Sequence, residues 1–210
     1  MSKTTRERLL AAGLQMLLER GYNAMGIQDL LAETGTPKGS FYHHFGSKEA
    51  FALEVVDRYM DEVHRGLDQT LTAPDRAPLD RVRGFLELSA EKYRSEGNLG
   101  CLLGGLGQEL SAVNDRFRQK VEHCLAAIAE HFVACFDEAR AQGDLSPRAD
   151  TRALADRLLD CWEGAALRSR LRRDPAPLIE MLDFYFAQVA SAAGGTTDPG
   201  ARAADTGQNG

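Results

Sequence analysis

Apolar residues recur three and four positions apart along almost the whole chain, and no stretch shows the strict alternation or β-branched enrichment of a strand. The pattern predicts an all-α protein of about nine helices. A first helix over about residues 5–19 puts Leu10, Leu14, Leu17 and Leu18 on one face and stops at Gly21. A short second helix turns Ile27, Leu30 and Leu31 inward and ends at Gly35. Thr36-Pro37 reads as an N-cap followed by proline at the first helical position, opening a third helix. Phe41 and Phe45 lie four apart on that helix and share its inner face. Gly46 closes it, and Ser47 caps a long fourth helix with Phe51, Val55, Tyr59 and Val63 inward.

After a loop over 72–78, a fifth helix carries Val82, Phe85, Leu86 and Tyr93, and the run 97–100 breaks it. A short sixth helix begins near Cys101. The seventh has the cleanest stripe, from Phe117 through Cys124, Ile128 and Phe132 to Ala139, and ends at Gly143. Asp150 caps an eighth with Leu154, Leu158, Cys161, Trp162 and Ala165, and Asp174-Pro175 opens a ninth with Leu178, Met181, Leu182, Tyr185 and Val189. From about residue 192 the chain loses apolar bulk and reads as a disordered tail. The expected organisation is a three-helix unit over 1–48, a helical bundle over 49–192 and a tail over 193–210.

No apolar run approaches the ~20 residues of a membrane span, and the N-terminus enters an amphipathic segment without a signal-peptide core. A cytoplasmic location without membrane attachment is expected. The formal net charge of −6 is unevenly spread. Residues 1–50 hold six Lys/Arg against five Asp/Glu, whereas the remaining 160 hold 19 against 26. Any affinity for nucleic acid must therefore come from the placement of donors and not from gross charge. No Ser/His/Asp set, paired-carboxylate motif or metal-ligand spacing occurs, so neither enzymatic activity nor a cofactor or metal is expected. The adjacent His43 and His44 point about 100° apart on a helix, which argues against a shared metal.

Three short helices with a tight turn at Gly35-Thr36-Pro37 have the proportions of a helix-turn-helix, whose last helix leads into the major groove with its N-terminal residues. Here these are Thr36, Pro37, Lys38, Gly39 and Ser40. Lysine donates to guanine or phosphate, serine and threonine adapt to either, and Gly39 allows close backbone approach. Tyr42, His43 and His44 carry donors suited to phosphates, and Lys48 stands in the first turn of the next helix, itself an anion-attracting terminus.

The run from Ile27 to Lys48, IQDLLAETGTPKGSFYHHFGSK, resembles the signature of the TetR family of bacterial transcriptional regulators. The close match covers about the first fifty residues; beyond it only helix number and length agree. The resemblance implies a homodimer formed through the eighth and ninth helices, double-stranded operator DNA as partner, and a small-molecule effector held among the fourth to eighth helices. It assigns DNA contacts to Gln28, Lys38, Ser40, Tyr42, His43, His44 and Lys48. Gly26 departs from the family's usual threonine, which caps the second helix and touches phosphate. Repression by steric occupancy of a near-palindromic operator is the expected mode, with activation as the alternative.

Cys101 follows Gly100 at a helix N-terminus, where the dipole favours a depressed thiol pKa. The segment Gly100-Cys101-Leu102-Leu103 more weakly resembles the family branch in which a cysteine senses electrophiles, with a quietly buried thiol as the plainer reading. Cys124, Cys135 and Cys161 lie on apolar stripes and are expected to be inert. Tyr93, Phe117, His123 and Trp162 are candidate effector contacts, although such residues more often build core. Gly100, Gly104, Gly105 and Gly107 cost about 1 kcal/mol each relative to alanine in a helix, and point to close packing or a movable sixth helix. Arg168, Arg170, Arg172 and Arg173 end the eighth helix and complement its dipole, with an anionic effector as the sharper alternative.

Overall fold

The computed structural model describes residues 4–97 and 100–194, with side chains to residue 189. Among these residues it contains α1 (Thr5–Ala24), α2 (Ile27–Thr34), α3 (Lys38–Phe45), α4 (Lys48–Leu71), α5 (Pro78–Ser95), α6 (Leu102–Leu110), α7 (Asp115–Gln142), α8 (Thr151–Arg172) and α9 (Ala176–Gly194), and no strand. The expected all-α architecture is therefore observed. Residues 193 and 194 continue α9. The rest of the expected tail lies outside the described residues, as do 98 and 99 in the break before α6.

Local chemistry sets the helix ends. Thr4 and Glu7 form a capping box at α1, each side chain bonded to the other's backbone amide. The hydroxyl of Ser47 accepts from Ala50 N, and Asp150 does the same for Ala153 N, as their positions foretell. α1 differs from expectation. It resumes after Gly21 and runs to Ala24, with Gly21 itself in a non-helical conformation at φ 76°, ψ 178°.

α1, α2 and α3 form a head that packs on the start of α4, where Leu9, Leu30, Phe41, Phe45 and Phe51 meet in one fully enclosed cluster. In the body, α7 is central and packs against α4, α5, α6 and α8, while α9 lies on α8 and α5. Phe117, Phe132 and Phe136 on α7 have no solvent exposure, and burying each such side chain contributes about 1.5–3 kcal/mol. Arg81 is the one arginine that the body nearly encloses among the described residues. It donates to Leu71 O at the end of α4 at 2.7 Å and pairs with Glu138 of α7 at 2.5 Å, tying three helices together.

Cys124 and Cys135 are buried as expected, but Cys161 is exposed. On α8 the buried stripe passes through Leu158, Trp162, Ala165 and Ala166, and Cys161 falls one position off it. Leu167 and Leu171 of α8 and Ile179 and Phe184 of α9 are open to solvent.

Candidate nucleic-acid interface and interior cluster

The reversal between α2 and α3 rests on Gly35, whose φ of 60° lies in the left-handed region that glycine occupies without penalty. The next amide, Thr36 N, donates back to Leu31 O at 3.0 Å and closes the end of α2. Thr36 itself is a correction to the sequence reading. Pro37, not Thr36, is the N-cap of α3, and Thr36 is buried, its hydroxyl within 3.0 Å of that of Thr34. The threonine seals the turn and presents no donor to solvent.

α3 has eight residues, far short of the ~12–15 at which an isolated helix is even marginal, so packing must hold it. Phe41 and Phe45 supply that packing. The Phe41 ring lies 5.2 Å from Phe51 and the Phe45 ring 4.8 Å from it, while Arg6 sits over Phe45. With two phenylalanines turned in, Lys38, Gly39, Tyr42, His43 and His44 are exposed and Ser40 is half-exposed. Tyr42 stands edge-on to Phe41, which fixes its ring while 43% of the residue remains open. Gln28, in the first turn of α2, is also exposed. Gly26 caps α2 without a side-chain bond, and the Asp29 carboxylate occupies the space that a larger residue's Cβ would take, 2.7 Å from it.

Lys48 is less free than its sequence position suggests. Its ammonium sits 4.5 Å from the centre of the Tyr22 ring and donates to Asn23 O at 3.5 Å. Burial there pulls its pKa down, with Glu109 opposing the shift. The side chain braces α4 against the end of α1 and leaves one flank open.

In the body, Tyr93, Cys101 and Trp162 come together, whereas Phe117 and His123 do not join them. Phe117 is fully enclosed, packed 5.2 Å from Tyr22 at the junction of α7 and α1. His123 lies on the exposed side of α7, two positions from Val121 and one from Cys124 on the buried stripe. Two further residues complete the cluster: Tyr59 of α4, read from the sequence only as core, and Glu163 of α8, not singled out there. The Tyr59 hydroxyl is 3.9 Å from Cys101 Sγ, the Tyr93 ring lies 5.9 Å from Trp162, and Glu163 lies near enough to Cys101 and both tyrosines to act on them electrostatically.

Across the Tyr59–Cys101 contact either the hydroxyl or the thiol can donate. The helix dipole does not dominate at Cys101. The Gly104 and Leu103 amides do favour the thiolate, but burial and the neighbouring Glu163 outweigh them and push the pKa up to about 12. Burial also raises Glu163. One signal for Glu163 was present in the sequence, a carboxylate four residues after Leu159 on an apolar stripe. Its complement is Gly104, whose missing side chain leaves room for the Glu163 carboxylate.

Gly100 borders two clefts beside this cluster. One, of about 320 Å³, lies between α1, α6 and α8, with Cys101, Glu163 and Arg170 on its walls. The other, of about 280 Å³, lies between α1, α4 and α5, with Tyr59, Tyr93 and Lys92. Arg170 donates to Glu19 O at 3.2 Å, so at least this member of the arginine cluster ties α8 to α1 and does more than complement its own helix.

Residues 9–55 match the family model for bacterial regulatory proteins of the tetR family, and residues 78–184 match that for the tetracyclin repressor-like C-terminal domain. The transcriptional regulator AcuR of Cereibacter sphaeroides is 39% identical over 82% of this chain and 79% of its own length. The HTH-type transcriptional repressor NemR of Escherichia coli is 30% identical over 83% and 88%. Among solved structures, a regulatory protein TetR from Rhodobacter sphaeroides superposes with a TM-score of 0.83 at 37% identity, covering 87% of this chain and 97% of that one. The reduced form of E. coli NemR superposes with a TM-score of 0.79 at 30% identity, covering 86% and 94%. The head that carries α3 and the body behind it thus both match in sequence and in shape: the chain belongs to the TetR family of bacterial regulatory proteins and is a DNA-binding transcriptional regulator.

Proposed function

We propose that the protein is a homodimeric repressor that lays its two α3 helices in successive major grooves of a near-palindromic operator. The exposed polar side of α3 carries this reading: Phe41 and Phe45 are consumed by the core, so Lys38, Gly39, Ser40, Tyr42, His43 and His44 face outward together. Gln28 and Lys48 flank that surface and reach phosphates on either side. Thr36 contributes only through the turn. Two copies spaced by about one turn of DNA, ~34 Å, match the repeat of the grooves. The solvent-open Leu167, Leu171, Ile179 and Phe184 on α8 and α9 support dimerisation through that pair of helices. The head extends to the start of α4, and the body from there carries the effector and the dimer face. The names of DhaR and NemR, both transcriptional repressors, favour repression over activation.

Release follows when a small effector enters beside Tyr59, Tyr93, Cys101, Trp162 and Glu163, or when Cys101 is modified, and the state with another head spacing gains in population. A duplex selected from a random pool by the wild-type protein provides the test. Lys38→Ala and Tyr42→Ala are expected to weaken its binding by at least about tenfold each in a gel shift, with the dimer intact, as loss of a good base or phosphate contact costs about 1–3 kcal/mol. Undiminished binding by both variants would place the interface elsewhere.

A further inference from the structure

α6 ends in a side chain that grips the head. Glu109, in its last turn, accepts from Tyr22 N at 2.7 Å and from Asn23 N at 2.6 Å, one bond to each carboxylate oxygen. The two amides are adjacent and point the same way because Gly21 breaks α1 just before them, at φ 76°. They are the opening amides of the short helical turn that follows, and unpaired amides at such a position attract a carboxylate. The break and the carboxylate are matched: a Cβ on Gly21 would stand 2.7 Å from Glu109 Oε2 and 3.3 Å from its Cδ. Around this joint lie Lys48, over the Tyr22 ring, and Phe117, against its edge. The other end of the same helix is Cys101, in the cluster with Tyr59 and Glu163.

We infer that Glu109 is the positioning residue that fixes the angle between head and body, and hence the distance between the two α3 helices of a dimer. The inference rests on the DNA-binding reading above. α6 is nine residues long and meets the buried cluster at its N-cap, Cys101, and the head at its eighth residue, Glu109, so a shift at one end carries the grip at the other. Charge-assisted bonds from a carboxylate to two amides are shorter and stronger than neutral ones, and they resist rotation of the joint because two oxygens are held at once. Glu109→Gln keeps the shape of the side chain but replaces one acceptor with an NH2 group facing an N–H, so at most one bond survives. Gly21→Ala attacks the same contact from the opposite side.

The test measures two things on the full-length protein. The first is hydrogen exchange at the Tyr22 and Asn23 amides. Glu109→Gln and Gly21→Ala are each expected to raise it by about tenfold or more, and the double variant to be no faster than the worse single one, as for two substitutions that remove one interaction. The second is binding to the selected duplex with zero, one and two base pairs inserted between its half-sites. The wild-type protein is expected to lose about tenfold or more in affinity with insertion, and Glu109→Gln to lose less than about threefold, its heads being free to turn. A variant weakened only through general loss of stability would fall in parallel with the wild type at every spacing. That parallel fall, or unchanged amide exchange in Glu109→Gln, would overturn the inference. A wild-type protein that selects no duplex would defeat the DNA-binding reading instead, and the exchange at Tyr22 and Asn23 would still judge the clamp.

Discussion

Replacing Gly13 with alanine sets two effects of opposite sign against each other. Gly13 is a buried, helical residue in the middle of α1, and alanine is favoured there by about 1 kcal/mol on propensity alone. The added Cβ, however, would stand 2.7 Å from Phe51 Cε1 and 3.2 Å from Val55 Cγ2. Neither partner has room to withdraw. Phe51 is fully enclosed and lies against both Phe41 and Phe45, and Val55 is fully enclosed as well. Overpacking a rigid core costs about 1–3 kcal/mol, and a contact this close to an aromatic ring held on both sides belongs at the top of that range. The net expectation is a loss of about 2 kcal/mol, which for a chain of this length lowers the melting temperature by about 4–8 °C. Thermal unfolding followed by circular dichroism, at one fixed protein concentration because the protein is read as a dimer, measures it. Operator affinity is expected to fall with it, since the displaced ring is the one on which α3 rests. A melting temperature equal to or above that of the wild type would refute the packing argument and show that the cluster under α3 can yield.

The Cys101 thiol, held up to about 12 by burial and Glu163, is expected to react slowly with iodoacetamide at pH 7, while the exposed Cys161 reacts readily. Because its pKa is raised on folding, the protonated thiol supports the fold below the ordinary thiol range, and that support drains away as pH rises towards 12. Glu163→Gln removes the charge and is expected to speed Cys101 labelling by about tenfold, as each pKa unit changes the thiolate fraction tenfold; peptide mapping reads both rates, and equal labelling of Cys101 and Cys161 at pH 7 would count against the burial argument. Phe184→Glu places a charge on the open apolar side of α9 and is expected to yield monomers in sedimentation velocity while the helical spectrum persists. A dimer that tolerates this change does not use that face. Arg81→Met is expected to cost about 1–2 kcal/mol in urea unfolding, since Leu71 O keeps only the weak, long bond from the Cys135 thiol while the half-exposed Glu138 returns to water; an unchanged midpoint would mean that water replaces the arginine at no cost.

What the amino-acid sequence determined by itself is the order of the helices, most of their ends and the identity of the head; the end of α1 and the cap of α3 fell elsewhere than expected. Helical periodicity, the caps at Ser47 and Asp150 and the glycines at 35, 46 and 143 are local codes, read from residues within four positions of each other. The exposed side of α3 was legible for the same reason, because two phenylalanines four apart leave only one other side. Tertiary structure decided everything that depends on residues distant in the chain. Thr36 turned inward to Thr34, Phe117 was enclosed by Tyr22, and His123 fell on the outer side of α7. The helix dipole at Cys101 was outweighed by a carboxylate from α8, sixty-two positions away. Glu109 is one of 31 acidic residues until Gly21, 88 positions earlier, turns two amides towards it. Desolvation and long-range hydrogen bonding are set by which surfaces meet, and one-dimensional spacing carries that information only within a single helix.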